Sequence, residues 1–210
     1  MAKKQIFSTI DLKTKIVLSA KEIVVKQGHK ALNIRDIAQK SGCSTGTLYN
    51  TFKNMDEILL YVNGETLDLL LATLKKGYEN AKRTKHVGRS MGKLYIHFTR
   101  DHHALWTLLF DYQHLNPKEI PHWYQEKVGS LFSFIQSTLT LDLKGDQKKL
   151  AQLAHTLWAS LHGICVLEFN GKLLSTKSDA PEKLWDTLYI HLLNGFKQSV
   201  EGIDTEFTNE

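Results

Sequence analysis

The sequence predicts an all-α protein of about nine helices, and three observations carry that expectation. Apolar residues recur at 3.6-residue spacing along most of the 210 residues. Only three prolines are present, so little interrupts long helices. No stretch shows the period-2 alternation of a half-buried strand, and no internal repeat is visible. The predicted organisation is an N-terminal domain over residues 1–55 with a helix-turn-helix, a helical domain over 56–202, and an acidic tail, 203–210, that frays.

The elements follow in order. Leu12, Ile16, Val17, Ala20, Ile23 and Val24 share one face of a first helix, and Gly28 suits the position that ends it. Asn33 caps a short second helix holding Ile34, Ile37 and Ala38, which Ser41-Gly42 breaks. Ser44 caps a third that ends near Phe52. Asn54 followed by Glu57 resembles a capping box and opens a fourth helix through Ile58, Leu59, Val62, Leu67, Leu70, Leu71 and Leu74. A polar link spans residues 81–88. Helical spacing resumes at Met91, Leu94, Tyr95 and Phe98, and again at Leu105, Leu108 and Leu109. Asn116-Pro117 and Ile120-Pro121 punctuate the next junction. Leu131, Phe134, Ile135 and Leu139 mark a further helix closed by Lys144-Gly145. Asp146 caps a helix over 147–169 that Asn170-Gly171 ends, and Asp179, Pro181 and Glu182 open the last, to about Val200.

Composition excludes several classes. Hydrophobic residues at 42% and charged residues at 23% fit a soluble globular chain rather than a disordered one. Cys43 and Cys165 stand too far apart for a CxxC knuckle or a disulfide scaffold, and they suit a reducing cytosol. The start has lysines but no apolar run behind them, so no signal peptide is read. The uncharged stretch Leu150–Leu167 has the length of a membrane helix, but Gln152, His155, Thr156, Ser160 and His162 interrupt it. A buried helix in a cytoplasmic protein, with no membrane partner, is the expectation.

Charge is divided unevenly. Residues 1–93 hold 17 Lys and Arg against 8 Asp and Glu, whereas residues 94–210 hold 10 against 14. The first part is suited to an anionic partner.

Residues 33–53 carry the chemistry. Two short helices joined by a tight turn form helix-turn-helix geometry. Ala38 is small where the helices cross, Gly42 supplies φ > 0 in the turn, and Cys43 seats it. Leu48 and Phe52 point inward, leaving Thr45, Thr47, Tyr49 and Asn50 outward; Gly46 allows close backbone approach to a phosphate. The same pattern also suits a solvated helical hairpin in an all-α core.

Gly28, Ile34 to Ala38, and Ser41 through Phe52 resemble the DNA-binding signature of TetR/AcrR-type transcriptional regulators. The resemblance implies an all-helical homodimer whose operator affinity responds to small molecules bound by the C-terminal domain, with double-stranded operator DNA as partner. It places Ser44, Thr45, Gly46, Thr47, Tyr49 and Asn50 at the recognition helix, Asn33 and Arg35 against the DNA backbone, and Tyr49 along a phosphate. The family usually carries lysine where Met55 stands; Lys53 is a candidate substitute, and the fourth helix's N–H groups remain available to phosphate. Phosphate contacts supply affinity and base-edge contacts supply sequence choice. One such helix reads few base pairs, so a symmetric dimer on a palindromic operator is expected.

A second resemblance lies in Tyr95-Ile96-His97-Phe98, Asp101 to Trp106, and Trp158-x-x-x-His162-Gly163, which is similar to the WHG-type C-terminal domain of one TetR subgroup. The family pairs its last two long helices with those of a second copy, which here are 147–169 and 181–200, with Leu150, Leu153, Leu157, Leu161, Leu184, Leu188, Leu192 and Phe196. The alternative is that these side chains fill the monomer core. Aromatic and polar side chains suggest a chamber for a small, largely hydrophobic effector: Phe98, His102, Trp106, Phe110, Tyr112, Trp123, Tyr124, Trp158 and His162. Aromatics at helical spacing equally suit a plain core.

No cofactor is implied. His97, His102, His103 and His114 lack partners at ligand spacing, and His102 and His103 point about 100° apart on a helix. Oxidation of Cys43 would block DNA contact, but no adjacent base activates it. An enzyme is not expected, since no P-loop, GxGxxG or HExxH occurs. The rival to a ligand-released repressor is an all-helical enzyme or a non-DNA-binding adaptor.

Overall fold

A computed structural model describes residues 9–83, 87–111, 120–141, 143, 146–173 and 180–200. Among them are nine α-helices and no strand: α1 Thr9–Gln27, α2 Ile34–Ser41, α3 Thr45–Thr51, α4 Met55–Ala81, α5 Val87–Asp101, α6 His103–Asp111, α7 His122–Leu139, α8 Gln147–Phe169 and α9 Ala180–Val200. A 3-10 turn, His29–Ala31, follows α1. The all-α expectation holds. Asp179 and Tyr112 lie outside the described residues.

Three boundaries differ from the pattern. α5 begins at Val87, inside the polar link expected over 81–88, because Val87 and Gly88 are buried and start the helix there. The seventh helix starts at His122, well ahead of Leu131, because the Pro121 carbonyl accepts from the Tyr124 and Gln125 N–H groups and begins the helix there. Its opening turns are aromatic and charged, which hid their helical period. The fourth runs beyond Leu74 to Ala81, carried by half-buried Tyr78 and buried Ala81.

The chain forms two compact units, one of Met1–Leu69 with His102–Lys127 and one of Leu70–Asp101 with Val128–Glu210. In the first, Ile16, Val17, Ala20, Ile23 and Val24 of α1 meet Ile37 and Ala38 of α2, Leu48 and Phe52, Ile58, Leu59 and Val62 of α4, and Leu105 and Leu108 of α6. Burying each large apolar side chain contributes about 1.5–3 kcal/mol.

The second unit is held by α5, α8 and α9. Gly88 and Gly92, four apart on α5, lie against Tyr189 and Trp185, four apart on α9. A methyl group at either glycine would be driven into those side chains. The Trp185 indole donates to the Arg89 carbonyl at 2.9 Å, which fixes the ring in place. The Arg89 guanidinium forks onto Asp186 at 2.6 and 2.5 Å, and Lys93 approaches the same carboxylate at 2.9 Å. Further along α5, Arg100 binds Glu168 of α8 and Glu182 of α9. By length and composition α8 is apolar enough to cross a bilayer. Here Leu150, Leu153, Ala154, Leu157, Leu161 and Cys165 form a buried stripe at helical spacing, as on a core helix.

Gly92→Ala should destabilise the protein by about 1–3 kcal/mol through overpacking, read as a lower thermal midpoint. Acid should act through α9. Arg89 hydrogen bonding holds the Asp186 carboxyl below its ordinary 3.8, against burial and with help from Lys93. Burial pushes Glu182 up, but hydrogen bonding and attraction from Arg100 outweigh it and leave it below 4.5. Their contribution is therefore complete above those ordinary values and is lost as pH falls through the lowered folded ones. Urea melts from about pH 6 to about pH 3 should show Asp186→Asn losing less stability than the parent.

Candidate nucleic-acid interface

Local chemistry shapes this surface. The Asn33 side chain accepts from the Asp36 N–H at 3.0 Å and starts α2. Gly42 ends α2 in the left-handed region at φ 74°, where other residues are strained. The next N–H, of Cys43, donates to the Ala38 carbonyl at 3.0 Å, closing the turn. Ser44 then caps α3 by accepting from the Thr47 N–H at 3.0 Å.

α3 is only seven residues long. Leu48 is fully buried and Phe52 is 1% exposed, so these two anchor it to the first unit's core. The opposite side carries Thr45, Gly46, Asn50 and Tyr49, all exposed, with half-buried Thr47 between them. Tyr49 is 56% exposed, unusual for so large a ring. Among the described residues a Cβ at Gly46 would meet only the Ser44 hydroxyl oxygen, at 3.8 Å, so none of them demands glycine there. Asn33 and Arg35, at the start of α2, and Lys53, after α3, are exposed as well. All nine residues read from the sequence as DNA contacts thus belong to one unit, and all but Thr47 are exposed.

The start of α4 is self-capped. Asn54 accepts from the Glu57 N–H at 2.9 Å, and the Glu57 carboxylate accepts from the Lys53 N–H at 2.7 Å. Met55 packs half-buried against the core, while Asp56 and Glu57 place acids in the first turn. Some of the basic excess is already used internally: Lys40 pairs with Glu22 at 2.7 Å and Lys21 with Glu65 at 2.9 Å. Lys13 donates to the Tyr61 hydroxyl at 2.7 Å and lies over the Tyr61 and Phe52 rings.

The residues read as chamber walls are divided. His102, Trp106, Phe110, Trp123 and Tyr124 belong to the first unit; Phe98, Trp158 and His162 belong to the second. In the first, Trp106 and Phe110 are 5.5 Å apart between ring centroids. Trp123 stacks on Tyr61 at 4.8 Å and contacts Tyr124 edge-on. A Cβ on Gly64 would come within 2.7 Å of the Trp123 ring, and one turn further Lys127 pairs with Asp68 at 2.5 Å. Burial pushes the Tyr124 hydroxyl up to about 12, so it stays protonated. In the second unit Trp158 and His162 lie 5.8 Å apart, and the His162 Nδ1 is 3.2 Å from the Tyr95 hydroxyl. An apolar cavity of about 50 Å³ lies there, between Tyr95, Leu139, Leu157, Trp158, Trp185 and Tyr189. Of the residues read as chamber walls, Trp158 is the one that lines it.

The sequence reading passed over Asn63, a fully buried amide on α4. The available signal was a single amide amid the leucines of that helix face. Cys43 is half-buried with its sulfur 3.2 Å from the Ser41 hydroxyl. Burial pushes the Cys165 thiol up to about 11, which keeps it unreactive. Among the described residues, no three His, Cys, Asp or Glu side chains gather as a metal site would require.

A sequence profile for bacterial regulatory proteins of the tetR family matches residues 16–62. A second, for the tetracyclin repressor-like C-terminal domain, matches residues 89–192. An uncharacterized HTH-type transcriptional regulator of Haemophilus influenzae is 27% identical over 111 residues, covering 52% of this chain and 59% of the relative. The chain thus spans about three fifths of that relative's length. A protein of unknown function from Rhodococcus sp. RHA1 is similar in structure at a TM-score of 0.72 and 18% identity, over 92% of this chain and 97% of that one. RolR in complex with resorcinol is similar at 0.64 and 12%, over 89% and 88%. At such identities the structural likeness shows the fold, while the two profiles together match well over half the chain. The chain belongs to the TetR family, whose members are DNA-binding transcriptional regulators and not enzymes.

Proposed function

We propose that this chain is a cytoplasmic repressor that binds a palindromic operator as a homodimer and leaves it when a small, largely hydrophobic effector binds. One observation carries the reading. A seven-residue helix and its C-cap turn Leu48 and Phe52 into the core and offer Thr45, Tyr49 and Asn50 to solvent. Threonine and asparagine suit base edges, and an exposed tyrosine beside them suits a phosphate. An adaptor surface would have no use for that set at a capped helix end.

Dimerisation through α8 and α9 has support from how their apolar residues divide. Leu150, Leu153, Leu157 and Leu161 of α8 are buried within the chain. On α9, Leu184 is exposed and Leu188, Leu192 and Phe196 are half-buried, leaving apolar surface for a partner copy. An open groove of about 420 Å³ runs between the helices, past Gln152, Thr156, Leu192, Gly195 and Phe196. The effector reading is supported by the first unit's buried Trp106 and Tyr124 and, by analogy, by RolR, which binds an aromatic diol. Stacking of Trp123 on Tyr61, itself bonded to Lys13, links the first turn of α7 to α4 and α1.

Fluorescence anisotropy on the palindrome nearest the chain's own gene tests the reading. Affinity should fall steeply with salt. Tyr49→Ala should abolish detectable binding, and Met55→Lys should tighten it with a salt slope steeper by about one ion. Salt-independent binding, or none, would favour the adaptor.

A further inference from the structure

Asn63 is 0% exposed, and neither its Nδ2 nor its Oδ1 has a hydrogen-bond partner among the described residues. It stands on α4 one turn from Leu59 and one turn from Leu67, and both leucines are buried. Thr66, three residues away and equally buried, satisfies its hydroxyl by donating to the Val62 carbonyl at 2.9 Å. Asn63 does no such thing.

A buried amide with both ends unpaired is costly, because each end has lost its water without gaining a partner. Leucine would fill nearly the same volume with no such cost. The amide is therefore reasonable only where a second molecule completes it. Its orphan atoms specify that molecule: an acceptor for Nδ2 and a donor for Oδ1, close together. A carboxamide, a phenol or alcohol, or a protonated acid offers both. A carboxylate offers acceptors only and would be buried as an unpaired charge. An ammonium offers donors only. Since Leu59 and Leu67, one turn to either side on α4, are buried leucines, the rest of the molecule is read as largely apolar. The same unit contains Trp106, Phe110 and Tyr124.

We infer that Asn63 is the polar recognition group for the effector, selecting a neutral, largely apolar molecule whose head carries a hydrogen-bond donor beside an acceptor. This deepens the ligand-responsive reading above and rests on it. Ordered water could complete the same amide, and the test separates the two.

The full chain and its Asn63→Leu variant are melted alone and with benzamide, phenol, benzoate or toluene at neutral pH. Without a probe, Asn63→Leu should melt about 2–4 °C higher, since the unpaired amide is gone. Benzamide or phenol should raise the midpoint of the parent, benzoate and toluene should not, and the variant should lose that response. Should Asn63→Leu not fold, Asn63→Ala carries the probe comparison. A variant that melts lower without probe, equal shifts in both proteins, or no shift of the parent by benzamide or phenol each overturns the assignment; the last is the result for bound water. Parent binding to palindromic DNA is measured alongside. Its absence sinks the regulator reading but not the probe comparison, whereas intact DNA binding with equal probe shifts sinks Asn63 alone.

Discussion

Burial of Leu48 and Phe52 is the constraint on which the surface chemistry depends. A seven-residue helix has no stability of its own in water, because nucleation costs more than so few hydrogen bonds return. α3 exists because two side chains, four residues apart, are inserted into a core built from α1, α2, α4 and α6. The Ser44 cap at one end and the Phe52 N–H to Leu48 carbonyl bond at the other, 2.9 Å, close it. Once those anchors are fixed, the outward direction of Thr45, Tyr49 and Asn50 follows from helical geometry. The exposed residues can then differ in chemistry without loss of the scaffold.

The same anchors connect to the rest of their unit. Phe52 meets Tyr61 edge-on at 5.7 Å, Lys13 lies over both rings, and Trp123 stacks on Tyr61 at 4.8 Å. These are contacts between large, stiff groups, so a displacement of α7's first turn has few ways to be absorbed before it reaches Tyr61. Gly64 and the Lys127–Asp68 pair hold that turn against α4 on the same helix face.

Much of this was legible in the linear sequence, for identifiable reasons. Caps and breakers act locally, so Asn33, Gly42, Ser44, Asn54 with Glu57, and Asp146 could each be placed from neighbours within four residues. α3 was readable because its apolar and polar residues separate cleanly onto two faces. The start of α7 was not, since its early turns bury aromatic rings and expose charge without an aliphatic period. The chamber residues were harder still. Helical spacing says that Trp106 and Trp158 face inward but not that they belong to different compact units. Nor could charge counting show that Lys21 and Lys40 are paired with Glu65 and Glu22. Asn63 stands out in sequence only as one amide amid leucines, and its hydrogen-bond partners, or their absence, depend on residues distant in the chain.

The glycine and ring seam between α5 and α9 also constrains how the protein can change over generations. Gly88 and Gly92 have no space for a methyl group because Tyr189 and Trp185 occupy it, and Trp185 is further tied to the Arg89 carbonyl. Neither side of the seam can therefore drift alone: a larger residue at 92 becomes tolerable only in a lineage that has already reduced 185. The intermediate with both positions small would leave a void beside the existing cavity. The two helices are thus expected to vary as matched pairs, with any route between pairings passing through a loosened second unit.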